Sequence, residues 1–148
     1  YLQDILPQFR EVEVIWRPCE AHPRPERYGL HSDLCARGMY FIQEQGADLE
    51  EYHERMYQAT LTDQCNIQNV TVLAERLKGL VDTERFQQAL ISGAYLNELA
   101  ANNQDAWGEH QFAAVPSLAV NGKTLGALAN IGLTPERIQQ FLQQNSEG

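Results

Sequence analysis

The dipeptide Asn121-Gly122 stands between two apolar runs, VPSLAV and KTLGALA. A two-residue turn that follows the right-handed twist of paired strands needs positive φ at both central positions, which Asn and Gly tolerate best. The pair therefore predicts a β-hairpin near the C-terminal end of the chain. Thr134-Pro135-Glu136 then predicts a helix start, with proline in the first helical position where its missing N–H costs nothing. ERIQQFLQQ continues that helix, with Ile138, Phe141 and Leu142 turned inward.

The other end of the chain also reads as β structure. In REVEVIWRP, Val12, Val14 and Trp16 alternate with Glu11, Glu13 and Arg17, and Ile15 adds a second apolar face. The pattern predicts a mostly buried strand ended by Pro18. Three prolines, Pro18, Pro23 and Pro25, predict that the next segment, CEAHPRPERYG, is an extended loop. Helices fill the middle. Ser32 or Asp33 caps a helix carrying Leu34, Cys35, Met39, Phe41 and Ile42, and Gly46 breaks it. DLEEYHERMYQATL is amphipathic, with Leu49, Tyr52, Met56 and Tyr57 on one face. Asn69 or Thr71 opens the next helix and Asp82 the one after, where Phe86 and Leu90 lie at i, i+4. AYLNELAANNQDAWGEH closes the block with Leu96, Leu99, Ala100 and Trp107 inward. Strands at both ends and helices between predict an α/β fold with layers on both faces of the sheet.

Composition narrows the function classes. The chain of 148 residues has 20 acidic and 11 basic residues, a net charge of −9. Such a surface repels phosphate backbones and anionic lipid, which argues against nucleic-acid and membrane partners. No apolar run approaches the roughly 20 residues that span a bilayer. A cytoplasmic protein is the expectation, with a periplasmic or secreted location open if a signal peptide is removed. The opening YLQDILPQF reads as the last turns of a helix already under way, which predicts residues upstream of it.

From Phe9 to Leu142 the order of these segments resembles the DsbA-like branch of the thioredoxin superfamily, which includes the FrnE-type and 2-hydroxychromene-2-carboxylate isomerase proteins. The residues that carry the resemblance are VEVIWRP, the helical block and its GAYLNELAANNQDAWGEHQFAAVPS approach, and AVPSLAVNGK. The resemblance implies a thioredoxin-like sheet and a single domain over 1–148, with a multi-helix insertion over about 30–111. It implies a cis peptide bond between Val115 and Pro116, and these two residues as the contact for the backbone of an extended substrate. It implies thiol–disulfide oxidoreductase activity on a protein or small thiol/disulfide substrate, with no metal and no bound cofactor.

The chain departs from that family in one respect that matters: it contains no C-x-x-C. The family's reactive pair begins the helix whose end is read in YLQDILPQF, where the helix N-terminus favours the thiolate. A redox C-x-x-C and the central strand before it are therefore expected upstream of residue 1. A second copy supplying the strand by swapping, and an unusual closure of the sheet, are the alternatives. A glutathione-dependent isomerase, or a non-redox binding relative of the same fold, remains the other functional reading. In the isomerase Pro116 would hold the glutathione backbone. LGALANIGLTPER lacks the aromatic-Gly pair of such isomerases, which favours the oxidoreductase. A domain that only assembles by strand exchange is a third reading, and it predicts a homodimer.

Cys19, Cys35 and Cys65 are odd in number and widely spaced, so they do not form a disulfide framework. Cys35 and Cys65 read as core thiols of the helical block. Cys19 and His22 make a C-x-x-H, and His31 and Cys35 stand at i, i+4. No second pair has ligand spacing, and metal binding is not expected. Asn69-Val70-Thr71 is a glycosylation sequon where a helix cap is expected.

Overall fold

The computed structural model describes residues 2–20, 23, 27, 30–110, 116–128 and 132–146. These residues form a mixed α/β structure, with a two-stranded antiparallel sheet and helices. By contact, the chain divides into two compact units: Tyr1–Arg17 with Gln104–Gly148, and Pro18–Asn103. Among the described residues, no helix is long and apolar enough to cross a membrane.

The unit Pro18–Asn103 is helical. It contains α2 (Asp33–Glu44), α3 (Leu49–Tyr57), α4 (Val70–Arg76), α5 (Thr83–Ile91) and α6 (Leu96–Asn103), counted after a short α1 (Leu2–Ile5) in the other unit. Three of the helices start on a side-chain cap. Asp48 accepts from the N–H groups of Glu50 and Glu51, Asn69 from Thr71 and Val72, and Asp82 from Glu84 and Arg85. Each cap satisfies N–H groups that the first helical turn leaves without a partner. Ser32 precedes α2 without making such a bond. Gly46 follows α2 at φ +64, a conformation that a Cβ disfavours.

α2 is the hub of this unit and packs against α3, α5 and α6. Phe41, Ile42, Tyr52, Met56, Leu73 and Phe86 belong to its buried core. Phe41 and Phe86 meet edge to face with centroids 5.5 Å apart. The Tyr52 hydroxyl donates to the Cys35 carbonyl at 2.6 Å, so a fully buried phenol keeps its hydrogen bond. Arg37 is also buried. Its Nε donates to the Ala94 carbonyl at 2.8 Å and its Nη2 to the Leu90 carbonyl at 2.5 Å. A guanidinium placed on carbonyls at the end of α5 also complements the negative pole of that helix. At the far end of the unit, the Glu20 N–H donates to Asn103 Oδ1 at 2.7 Å, and Asn102 Nδ2 donates to the Pro18 carbonyl at 2.9 Å.

The second unit contains α1, the hairpin and the last helix. β1 (Ser117–Val120) pairs antiparallel with β2 (Lys123–Gly126), Ser117 opposite Gly126 and Val120 opposite Lys123. Asn121 and Gly122 take φ +49 and +77, as a two-residue turn requires. Thr134 accepts from the Arg137 N–H and opens α7 (Pro135–Asn145) with Pro135 in its first turn. Ile138 and Leu142 of α7 join Ile5 of α1 and Leu133 in a small core, which Leu118, Val120 and Leu125 flank.

Three expectations are corrected here. The segment Val12–Arg17 is not a strand. It forms no ladder among the described residues, and Val14, Ile15 and Trp16 are 38%, 70% and 41% exposed. Alternating apolar residues supply a face for packing, but a strand also needs a neighbouring strand to form a ladder, and no strand among the described residues pairs with this segment. Tyr57 is exposed rather than inward, because it stands one residue past the buried Met56 and so about 100° around the helix from it; a π-helical turn, Gln58–Thr62, follows. Leu96 and Ala100 are also exposed, whereas Leu99 is buried as expected, Trp107 is half-buried, and Ala106 is buried as well. Leu96 and Ala100, at i, i+4, share a face of α6 that stays exposed, and a second π-helical turn, Gln104–Glu109, follows the helix.

Gly38 sets the distance between α2 and α3. A Cβ there would overlap the Tyr52 hydroxyl and lie 3.2 Å from a Phe86 ring carbon. Gly38→Ala is expected to destabilise the protein by about 1–3 kcal/mol in urea unfolding, despite the better helix propensity of alanine. In a Tyr52→Phe background the same substitution is expected to cost less. Equal costs in the two backgrounds would show that the hydroxyl does not set the spacing.

Candidate functional site

Pro116, one of the two residues that the resemblance assigns to substrate contact, lies at the entrance to β1. Pro116 is exposed, in a bend one residue before the strand. Val115 lies outside the described residues, and with it the peptide bond that joins the two. The carbonyls of Gly126 and Gly132, beyond the hairpin turn, accept from Arg137, at 3.2 and 2.9 Å. Leu128 and Gly132 exchange two backbone hydrogen bonds. These contacts tie the end of β2 to α7.

The cysteines are all free thiols in separate surroundings. Cys35 packs beside the core of the helical unit, with its sulfur 3.8 Å from the Met56 sulfur. Burial, and then the nearby Asp33 carboxylate, push its pKa up to about 12. That thiol stays protonated at neutral pH and is a poor nucleophile. Cys19 is half-buried, and burial followed by the charge of Glu20 raises its pKa too.

Cys65 is not the core thiol that the sequence suggests. Gln64, just before it, takes φ +50. Arg76, the last residue of α4, donates from Nη2 to the Cys65 sulfur at 2.8 Å and from Nη1 to Asp63 Oδ2 at 2.5 Å. The bonds to Asp63 and then to Cys65 raise the pKa of Arg76, so the guanidinium stays charged. Nothing in the sequence signals this triad, because a left-handed residue in a loop brings together groups 11 and 13 residues from Arg76.

Arg76 also borders an open groove of about 680 Å³ along α3 and the π-helical turn that follows it. Glu51, Glu54, Arg55, Tyr57 and Leu61 line the rest of its wall. Arg55 is already held by Glu51 at 2.7 Å and by the Lys78 carbonyl at 2.8 Å. The groove is thus a contact surface with its cations committed.

His31 precedes the first residue of α2, so it does not share a helical face with Cys35. His22 lies outside the described residues. Among the described residues, no three His, Cys, Asp or Glu side chains gather as a metal-binding set. Comparison with family models, with curated proteins and with solved structures finds no match to this chain.

The environment of Cys35 makes a prediction about pH. Folding raises its pKa from the ordinary 9.0 to about 12, and burial also raises that of Tyr52 well above 10.0. Both groups favour the folded state while neutral. Their contribution is complete below pH 9 and is lost as pH rises towards 12. Urea midpoints are expected to hold from pH 7 to 8.5 and then fall, with Cys35 accounting for on the order of 2 kcal/mol by pH 11. Cys35→Ala is expected to flatten that slope, and an unchanged slope would refute the assignment.

Proposed function

We propose that this chain carries the substrate-contacting part of a DsbA-like thiol–disulfide oxidoreductase, with Val115 and Pro116 as the contact residues. The observation that carries this reading is the division of the chain. One unit is discontinuous and draws on both ends, and the helices between form a unit of their own. That is the arrangement of a small α/β domain interrupted by a helical insertion. The exposed position of Pro116, directly before an antiparallel hairpin, adds support. A proline ahead of a strand leaves the neighbouring carbonyls available to an extended peptide.

The reading requires a nucleophilic thiol pair outside the three cysteines described above. Cys35 and Cys19 have raised pKa values, and Cys65 has no second cysteine at C-x-x-C spacing to resolve a mixed disulfide. With a C-x-x-C preceding α1, one thiolate attacks a substrate disulfide sulfur. The substrate S–S bond breaks, one substrate sulfur leaves as thiolate, and a mixed disulfide forms. The second cysteine displaces the remaining substrate thiolate, so the substrate is reduced and the pair oxidised. The reverse sequence oxidises a substrate dithiol.

The test is thiol counting by mass spectrometry on the native protein, beside a disulfide-exchange assay. The expected result is two alkylatable thiols beyond Cys19, Cys35 and Cys65, which interconvert with a disulfide as the redox poise changes. Pro116→Ala is expected to slow exchange roughly tenfold, the scale of losing about 1.4 kcal/mol of transition-state positioning. A count of three thiols, with no exchange activity, would overturn the reading.

A further inference from the structure

The hairpin turn carries a chemistry of its own. Asn121-Gly122 is the one Asn-Gly step of the chain, and both residues are exposed. The ladder closes on the pair Val120 and Lys123, so the Gly122 nitrogen lies outside it. Gly122 has no side chain to shield that nitrogen, and the space where one would begin is open. The nitrogen after an asparagine can close a five-membered ring on the asparagine's own side-chain carbonyl.

The geometry points to Asn121 as a site of deamidation, and to the end of α7 as the element that registers the change. The Gly122 nitrogen gives up its proton to base and attacks Asn121 Cγ. A C–N bond closes a cyclic imide, the Cγ–Nδ2 bond breaks, and the side-chain nitrogen takes up a proton and leaves as ammonia. Water then adds to either imide carbonyl and reopens the ring. One opening gives aspartate. The other gives isoaspartate, whose main chain runs through the former side chain. Water is the co-reactant, and nothing is oxidised or reduced.

The fold sets both the timing and the consequence. Asn121 Nδ2 donates to the Asn145 carbonyl at 2.7 Å. Asn145 is the last residue of α7, and its carbonyl is one of those that a helix end leaves without an intrahelical donor. The hairpin thus caps α7 from 24 residues away. Ring closure needs the Asn121 side chain to swing back over its own backbone, so this tie opens first, and the rate follows local opening of the turn. Afterwards the tie cannot re-form. Aspartate has no side-chain N–H, and its carboxylate meets an accepting carbonyl at the negative pole of α7. Isoaspartate also lengthens the main chain within a two-residue turn that fixes the register of β1 on β2. That register is what sets Leu118, Val120 and Leu125 beside the core of Ile138 and Leu142.

Ageing the 148-residue chain in mildly alkaline buffer tests this, with residue-level peptide mass mapping and isoaspartyl methyltransferase labelling. Asn121 is expected to gain the mass of an amide turned acid several-fold faster than any other asparagine, with methyl label appearing alongside. Urea below the unfolding midpoint is expected to speed the conversion. Amide exchange at Ser146, whose N–H donates to the Leu142 carbonyl at 2.9 Å, is expected to rise with the converted fraction. These readouts need no variant, so they stand even if a substituted chain misfolds. Asn121→Asp is expected to lower the urea midpoint and to speed the same exchange without ageing. Asn121→Gly removes the donor, adds no charge and suits the turn, and is expected to fall between it and the natural chain. An Asn121 that lasts as long as the other asparagines would overturn the inference. So would a conversion rate indifferent to urea, converted protein with Ser146 exchange unchanged, an aspartate variant as stable as the natural chain, or a glycine variant outside that interval.

Discussion

The helical unit rests on one close approach, in which Tyr52 of α3 lies across Gly38 of α2. The hydroxyl occupies the place where any side chain at residue 38 would begin. From there it reaches the Cys35 carbonyl, three residues earlier on the same helix. A glycine in a helix interior gives up backbone entropy relative to alanine. The tyrosine offsets that loss with a large buried ring and a satisfied hydroxyl. The same approach admits Phe86 of α5 to the face of α2 beside it. One small residue thus sets the spacing of three helices, and the buried Arg37 on the carbonyls of Leu90 and Ala94 fixes α2 to the end of α5.

What the sequence made legible follows from how local each signal is. Asp48, Asn69, Asp82 and Thr134 cap their helices because a short polar side chain meets N–H groups two or three residues on. Asn121-Gly122 forms its turn because both residues tolerate positive φ. The burial of Phe86 and Leu90, and of Ile138 with Leu142, needs only a regular helical period. Failures concern which side of a helix is buried: Tyr57 lies about 100° around from the buried Met56, and Leu96 and Ala100 share the side of α6 that stays exposed. π-helical turns follow both α3 and α6 and interrupt the period beyond them. Neither turn contains a glycine or proline that would mark the interruption, apart from Gly108 near the end of the second.

The strand expected at Val12–Arg17 failed for another reason. Alternation of apolar and charged residues describes a strand's side chains, and it is silent on what its backbone meets. Helices are self-sufficient in hydrogen bonds along most of their length, but a strand is complete only with a neighbour. The hairpin shows the contrast: β1 has β2 two residues away, whereas Val12–Arg17 has no adjacent strand in sequence. The candidate site was legible to a similar degree. Pro116 could be placed before a strand from the sequence, because the turn that follows fixes the strand's far end. The Cys65–Arg76–Asp63 cluster could not, because it depends on a loop conformation and not on a spacing.

The same distinction governs how the chemistry of this chain is to be understood. A thiol becomes a useful nucleophile when its surroundings favour the thiolate. Cys35 sits in the opposite environment, since the packing around Met56 and Tyr52 and the carboxylate of Asp33 all favour the proton. Moving that thiol to neutral-pH reactivity would require opening the part of the fold that Gly38 and Tyr52 hold together. Its burial is thus a stability device first, and evolution of reactivity at that position would work against the core. An exposed strand-entry proline carries no such conflict. Pro116 stands on the smaller unit, outside its apolar core, and a partner can engage it without disturbing Ile138, Leu142 or Ile5. In the proposed oxidoreductase, contact with an extended substrate would fall to that surface, whereas the buried thiol of the helical unit belongs to the fold.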